Sequence, residues 1–82
     1  MVNQKNPQQT NFETSDLPVA AFLRAKRIPL VGTRQDKGRI FFQFSHPKAE
    51  ALAFSFFNDA KVPASSFSRA FQELKTLVHG RI

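Results

Sequence analysis

Ten phenylalanines and no cysteine in 82 residues leave this chain few ways to hold a fold together. A domain this short buries only about 60 to 65% of the surface its unfolded chain exposes, so disulfides, structural metals or unusually large apolar side chains must supply the missing stability. Without cysteine there are no disulfides, no thiolate nucleophiles and none of the common zinc sites. The core must be built from phenylalanine. The length allows one such core and no second lobe, which predicts a single domain.

Residues 1–11 are rich in Asn and Gln, contain Pro7, and offer only Met1 and Val2 as apolar material. That composition predicts a disordered polar tail, with the folded domain running over 12–82 and Phe12 stapled back onto the first helix. The tail has no apolar stretch suited to a secretory signal. No later run reaches the roughly 18 apolar residues of a membrane helix. A cytoplasmic protein that does not engage a membrane is the expectation.

Thr14-Ser15-Asp16 offers helix caps ahead of Pro18, which predicts a helix from Leu17 to Lys26 or Arg27. On a wheel, Ala20, Arg24 and Arg27 share one narrow stripe and the rest is apolar, so the helix should pack on more than one side and show both arginines together. Strands follow at 28–34 and 39–44, joined by Gln35-Asp36-Lys37-Gly38. A four-residue loop there would set Arg34 opposite Arg39 and Gly32 opposite Phe41, a pairing that a one-residue slip undoes. Alternation puts Ile40, Phe42 and Phe44 on the core face and Arg39, Phe41 and Gln43 on the other.

Ser45-His46-Pro47 opens a second helix reaching about Asn58, with Ala49, Leu52, Ala53, Phe56 and Phe57 as its core stripe. Phe54 falls outside the stripe, beside Glu50, and so calls for a contact of its own. Ala60-Lys61-Val62 reads as a short third strand. Pro63 then starts a last helix to about His79, with Phe67, Ala70, Phe71, Leu74, Leu77 and Val78 at helical spacing and Gly80 at its C-terminal cap. The fold class is α+β, a helix, a β-hairpin, a helix, the short strand and a helix, with the helices packed on a small antiparallel sheet.

Several of these runs together carry a resemblance. Thr14-Ser15-Asp16-Leu17, Ala20-Ala21-Phe22-Leu23-Arg24-Ala25-Lys26, Leu30-Val31-Gly32, Phe41-Phe42 and the closing Phe67, Ala70, Phe71, Leu74 and Lys75 look like a family of small bacterial and phage domains of unknown function. The likeness spans most of 13–79 and implies the fold, with no activity and no catalytic residue to carry over. Where relatives tend to have glycine after the first helix, this chain has Arg27.

Candidates for chemistry are thin. His46 and His79 sit where a helix starts and ends, and the six carboxylates are scattered singly. Asp16 reads as a cap, and Glu73 as the i+4 partner of Arg69. The three glycines have no phosphate-loop spacing. No enzyme activity, metal or cofactor is expected.

Charge is the stronger signal. Of twelve Lys and Arg, six lie between Arg24 and Arg39, against Asp36 alone. If the end of helix 1 and the hairpin share one side, Arg24, Arg27, Arg34, Lys37 and Arg39 form a nucleic-acid-binding surface for DNA or RNA, with Phe41 stacking on an unpaired base if it is exposed. A two-sided sheet would instead bury Phe41 beneath a helix. The alternative is a protein-interaction module. Ala51 and Phe54 would then form half of a homodimer interface, or Phe54 would seat the segment around Phe12. A phage-type inhibitor or accessory factor docking its basic patch on an acidic protein surface fits the same charge map.

Overall fold

A computed structural model describes residues 11–81. The elements are β1 (Phe12–Thr14), α1 (Leu17–Ala25), β2 (Leu30–Asp36), β3 (Arg39–Phe44), α2 (Ala49–Phe56) and α3 (Ala64–Arg81). The strands form one antiparallel sheet in the order β1-β3-β2, and the class is α+β. The polar tail assigned to 1–11 lies outside the described residues except for Asn11, whose backbone N–H donates to Phe44 O at 2.8 Å.

Helix α1 forms because Asp16 caps it, its carboxylate accepting from Val19 N at 3.2 Å, while Pro18 occupies a first-turn position that lacks an intrahelical amide partner anyway. Five consecutive residues, Val19 to Leu23, are buried. A helix buried all round must be surrounded, and α1 packs against α3, α2 and β1. The stripe of Ala20, Arg24 and Arg27 is therefore not a solvent stripe. Ala20 is 0% exposed and Arg24 is half-buried, with Arg27 alone exposed.

Arg27 also sets how α1 ends. It takes φ 68, the left-handed conformation that glycine adopts freely. Ile28 N donates to Leu23 O at 3.0 Å and Arg27 N to Arg24 O at 2.8 Å. This is the Schellman pattern, with Ile28 turned into the core behind the helix it terminates.

The hairpin turns on two residues instead of four. Asp36 pairs with Arg39, leaving Lys37 at φ 52 and Gly38 at φ 80 as a type I′ turn. The pairing is accordingly Arg34 with Phe41 and Gly32 with Gln43, with an irregularity between Leu30 and Gly32. The expected partners, Arg39 for Arg34 and Phe41 for Gly32, are not formed. The face assignment along β3 holds, with Phe42 and Phe44 buried.

Three further expectations are corrected. The third strand is Phe12–Thr14, pairing the free edge of β3, so Phe12 is no staple and 60–62 is no strand. Helix α2 stops at Phe56, and Phe57 at its C-cap is 66% exposed because the wheel that placed it in the core has ended by then. Helix α3 runs through Gly80, which does not take positive φ and does not cap it. The core gathers around Phe22, whose ring centroid lies 5.2 Å from that of Phe56, and Phe56 stacks at 6.4 Å on Phe67 of α3.

Candidate nucleic-acid interface

Two cationic groups emerge at different ends of α1. At its C-terminal end, Arg24, Arg27 and Arg69 of α3 line one recess of about 170 Å³, together with Ala25, Ser66, Ala70 and Glu73. Packing of α1 against α3 creates it. Arg24 sits in the last turn of α1, where its charge is favourable beside the unpaired carbonyls, and its Nη1 reaches Ile28 O at 3.4 Å. Lys26, next to the recess in sequence, lays its amine 5.6 Å from the Phe22 ring centroid. Arg69 and Glu73 form no ion pair, contrary to the helix-pair expectation; among the described residues the one salt bridge is Arg34–Glu13. Three guanidinium groups on one concavity offer forked N–H donors that match phosphate oxygens.

The second group is the hairpin tip. Lys37 and Arg39 are exposed there, with Asp36 beside them. Arg39 also borders a depression shared with Ser15, Leu17, Ile40, Phe42 and Val78. Leu17 opens α1, whereas Arg24 and Arg27 lie at its close. The two groups thus lie toward opposite ends of α1, a helix of nine residues and about 13 Å.

Arg34 joins neither group. Its Nε and Nη2 donate to the two carboxylate oxygens of Glu13 at 3.1 and 2.8 Å, and Gln43 Nε2 donates to the same carboxylate at 2.7 Å. These hydrogen bonds, Arg34's first, hold the Glu13 carboxyl below its ordinary range and raise Arg34 in turn. The Arg34 guanidinium lies 4.4 Å from the Phe41 ring centroid. Phe41 is therefore neither beneath a helix nor free to stack on a base from that side. Gly32 makes room for this arrangement, since a Cβ there would stand 3.0 Å from Gln43 Oε1. Arg34 and Phe41 thus belong to an internal network on the helix-free face of the sheet.

Of the six residues expected to meet nucleic acid, the fold brings Arg24 and Arg27 together, sets Lys37 and Arg39 apart from them, and ties up Arg34 and Phe41. Arg69 was missed because its position depends on how α3 docks on α1, which no local spacing encodes. Ala51 and Phe54 are exposed on α2, Phe54 at 63%, and Phe54 lines an apolar recess with Phe12, Glu50, Ala53 and Phe57. The segment around Phe12 does border Phe54 as anticipated, but it leaves most of the ring uncovered.

His46 serves the start of α2, its Nδ1 accepting from Lys48 N at 3.0 Å. Among the described residues no three His, Asp or Glu side chains are grouped as metal ligands would be, and no helix is long and apolar enough to cross a membrane. Comparison with protein-family models, curated proteins and solved structures finds no match.

Proposed function

We propose that this chain is a non-enzymatic nucleic-acid-binding module whose main phosphate contacts come from Arg24, Arg27 and Arg69. The observation that carries this reading is the convergence of Arg24 and Arg27, at the end of α1, and Arg69 of α3 on one recess, none of them in an ion pair with a described residue. Lys37 and Arg39 supply a second contact at the other end of α1. One strand of a duplex advances about 3.4 Å per phosphate along the axis, so a backbone that follows the length of α1 from one group to the other spans at least about four phosphates. Contacts of this kind fix position and affinity without reading sequence.

Fluorescence anisotropy with labelled single- and double-stranded DNA and RNA at low salt tests the proposal. The triple variant Arg24→Ala, Arg27→Ala, Arg69→Ala is expected to lose most of the affinity, and Lys37→Ala with Arg39→Ala a smaller part. Absence of binding by the wild-type protein at low salt, or full affinity in the triple variant, rejects the assignment. An acidic protein surface is the competing partner for the same charges. If polyglutamate displaces the nucleic acid at equal charge concentration, the site selects carboxylate surfaces instead of phosphate.

A further inference from the structure

The recess that gathers three arginines also holds one carboxylate. Ser66, Arg69 and Glu73 follow one another along a single face of α3, each about one turn after the last, and line the recess together with Arg24 and Arg27. Glu73 stands four residues after Arg69, at a spacing that brings helical side chains within reach, yet it forms no ion pair with a described residue. A cation placed one turn ahead of a carboxylate is the weaker of the two helical orders, so little holds this pair closed. An ionised carboxylate accepts hydrogen bonds and donates none. Set beside a bare run of phosphates it repels them, so phosphate binding alone gives Glu73 no role in the recess.

We propose that Glu73 accepts a hydrogen bond from the 2′-hydroxyl of a ribose, which makes RNA the preferred ligand of the recess. This role presupposes the phosphate site described under the proposed function and adds the sugar to what that site recognises. The guanidinium groups of Arg24, Arg27 and Arg69, with the Ser66 hydroxyl as a further donor, take the phosphate oxygens. Glu73 lies roughly 5–6 Å beyond Arg69 along α3, measured between Cβ atoms, and so faces the sugar next to that phosphate. Ribose offers a hydroxyl donor there and deoxyribose offers none. With RNA, a charge-assisted hydrogen bond offsets the repulsion between the carboxylate and the phosphate. With DNA the repulsion stands alone. The discrimination therefore comes from a penalty on DNA as well as a contact with RNA.

Fluorescence anisotropy of the full chain at low salt, with labelled oligouridine, oligodeoxyuridine and 2′-O-methyl oligouridine of equal length, tests this role. The base is the same in all three strands, so only the sugar varies, and the 2′-O-methyl strand keeps the ribose oxygen but has no proton to donate. Wild type is expected to bind oligouridine roughly five- to tenfold more tightly than either of the others. Glu73→Ala should bind all three alike, and oligodeoxyuridine at least as tightly as wild type does, because the repulsion has gone. Glu73 is exposed, and a damaged fold would lower every affinity, so retained binding of oligodeoxyuridine separates the lost contact from lost structure.

Equal wild-type affinity for oligouridine and oligodeoxyuridine, or for oligouridine and its 2′-O-methyl form, overturns the role of Glu73. So does a ribose preference that survives Glu73→Ala, or a Glu73→Ala protein that loses its affinity for oligodeoxyuridine. Each of these leaves the phosphate recess standing. Failure of the wild-type protein to bind any of the three strands removes the recess itself, and the sugar contact with it.

Discussion

Replacing Arg27 with glycine should make the protein more stable and worse at binding. At φ 68 the arginine Cβ crowds its own backbone, a conformation that costs an L-residue roughly 1–2 kcal/mol and costs glycine almost nothing. Glycine returns about 0.5–1 kcal/mol of that gain through the larger freedom of the unfolded chain. The guanidinium makes no ion pair with any described residue, so its removal takes little away from the described fold. The balance is a net stabilisation of about 0.5–1 kcal/mol, which in a domain of this size raises the melting temperature by several degrees. Urea denaturation followed by circular dichroism measures it as a shift in midpoint at constant slope. Arg27→Ala is the control, since it loses the charge but keeps the crowded Cβ and should show no comparable gain. Both variants should bind nucleic acid more weakly and by the same amount. A midpoint for Arg27→Gly at or below that of wild type would refute the strain argument, and with it the idea that a cation is retained at a position suited to glycine.

Other perturbations probe the frame around the site. Phe22→Ala removes a wholly buried ring that touches Phe56, and the expected loss of about 3–5 kcal/mol is comparable with the whole stability of a small domain; a cooperative thermal transition near the wild-type temperature would contradict the placement of Phe22. Gly38→Ala puts a Cβ at φ 80 in open space, so strain alone acts and differential scanning calorimetry should show a loss of about 1 kcal/mol. The Glu13 carboxyl is lowered from its ordinary value of 4.5, so its stabilisation is fully present above that pH and is lost as pH falls through the lower native value. Thermal melts between neutral and strongly acidic pH should show that loss in wild type and a flatter profile in Glu13→Gln.

What the sequence made legible is what depends on neighbours along the chain. The cap at Asp16, the apolar spacing of α3 and the strand over 39–44 are local, and they stand as expected. The first hairpin strand runs over Leu30–Asp36 in place of 28–34 because it extends two residues further into the tight turn. Strand β1 is three residues long and exists only because the edge of β3, thirty positions later, pairs with it. Missing that strand hid Glu13 as a partner and left Arg34 looking free. Lys37-Gly38 lacks the Asn or Asp that usually announces a two-residue turn, so the register shifted and Phe41 went to the wrong partner. Arg69 joins Arg24 only through the docking of two helices more than forty residues apart. The cationic character of the α1 end was readable, whereas the membership of the site was a tertiary fact.

The salt dependence of binding reports how many phosphates the recess between α1 and α3 neutralises. Each phosphate neutralised on duplex DNA contributes about 0.9 to the slope of log affinity against log salt, so three arginines acting together contribute about 2.7. The slope should fall by about that much between wild type and the variant lacking Arg24, Arg27 and Arg69, and by about 0.9 for Arg69→Ala alone. An unchanged slope in the triple variant would mean that phosphates are met elsewhere and that the recess between α1 and α3 is not the binding site.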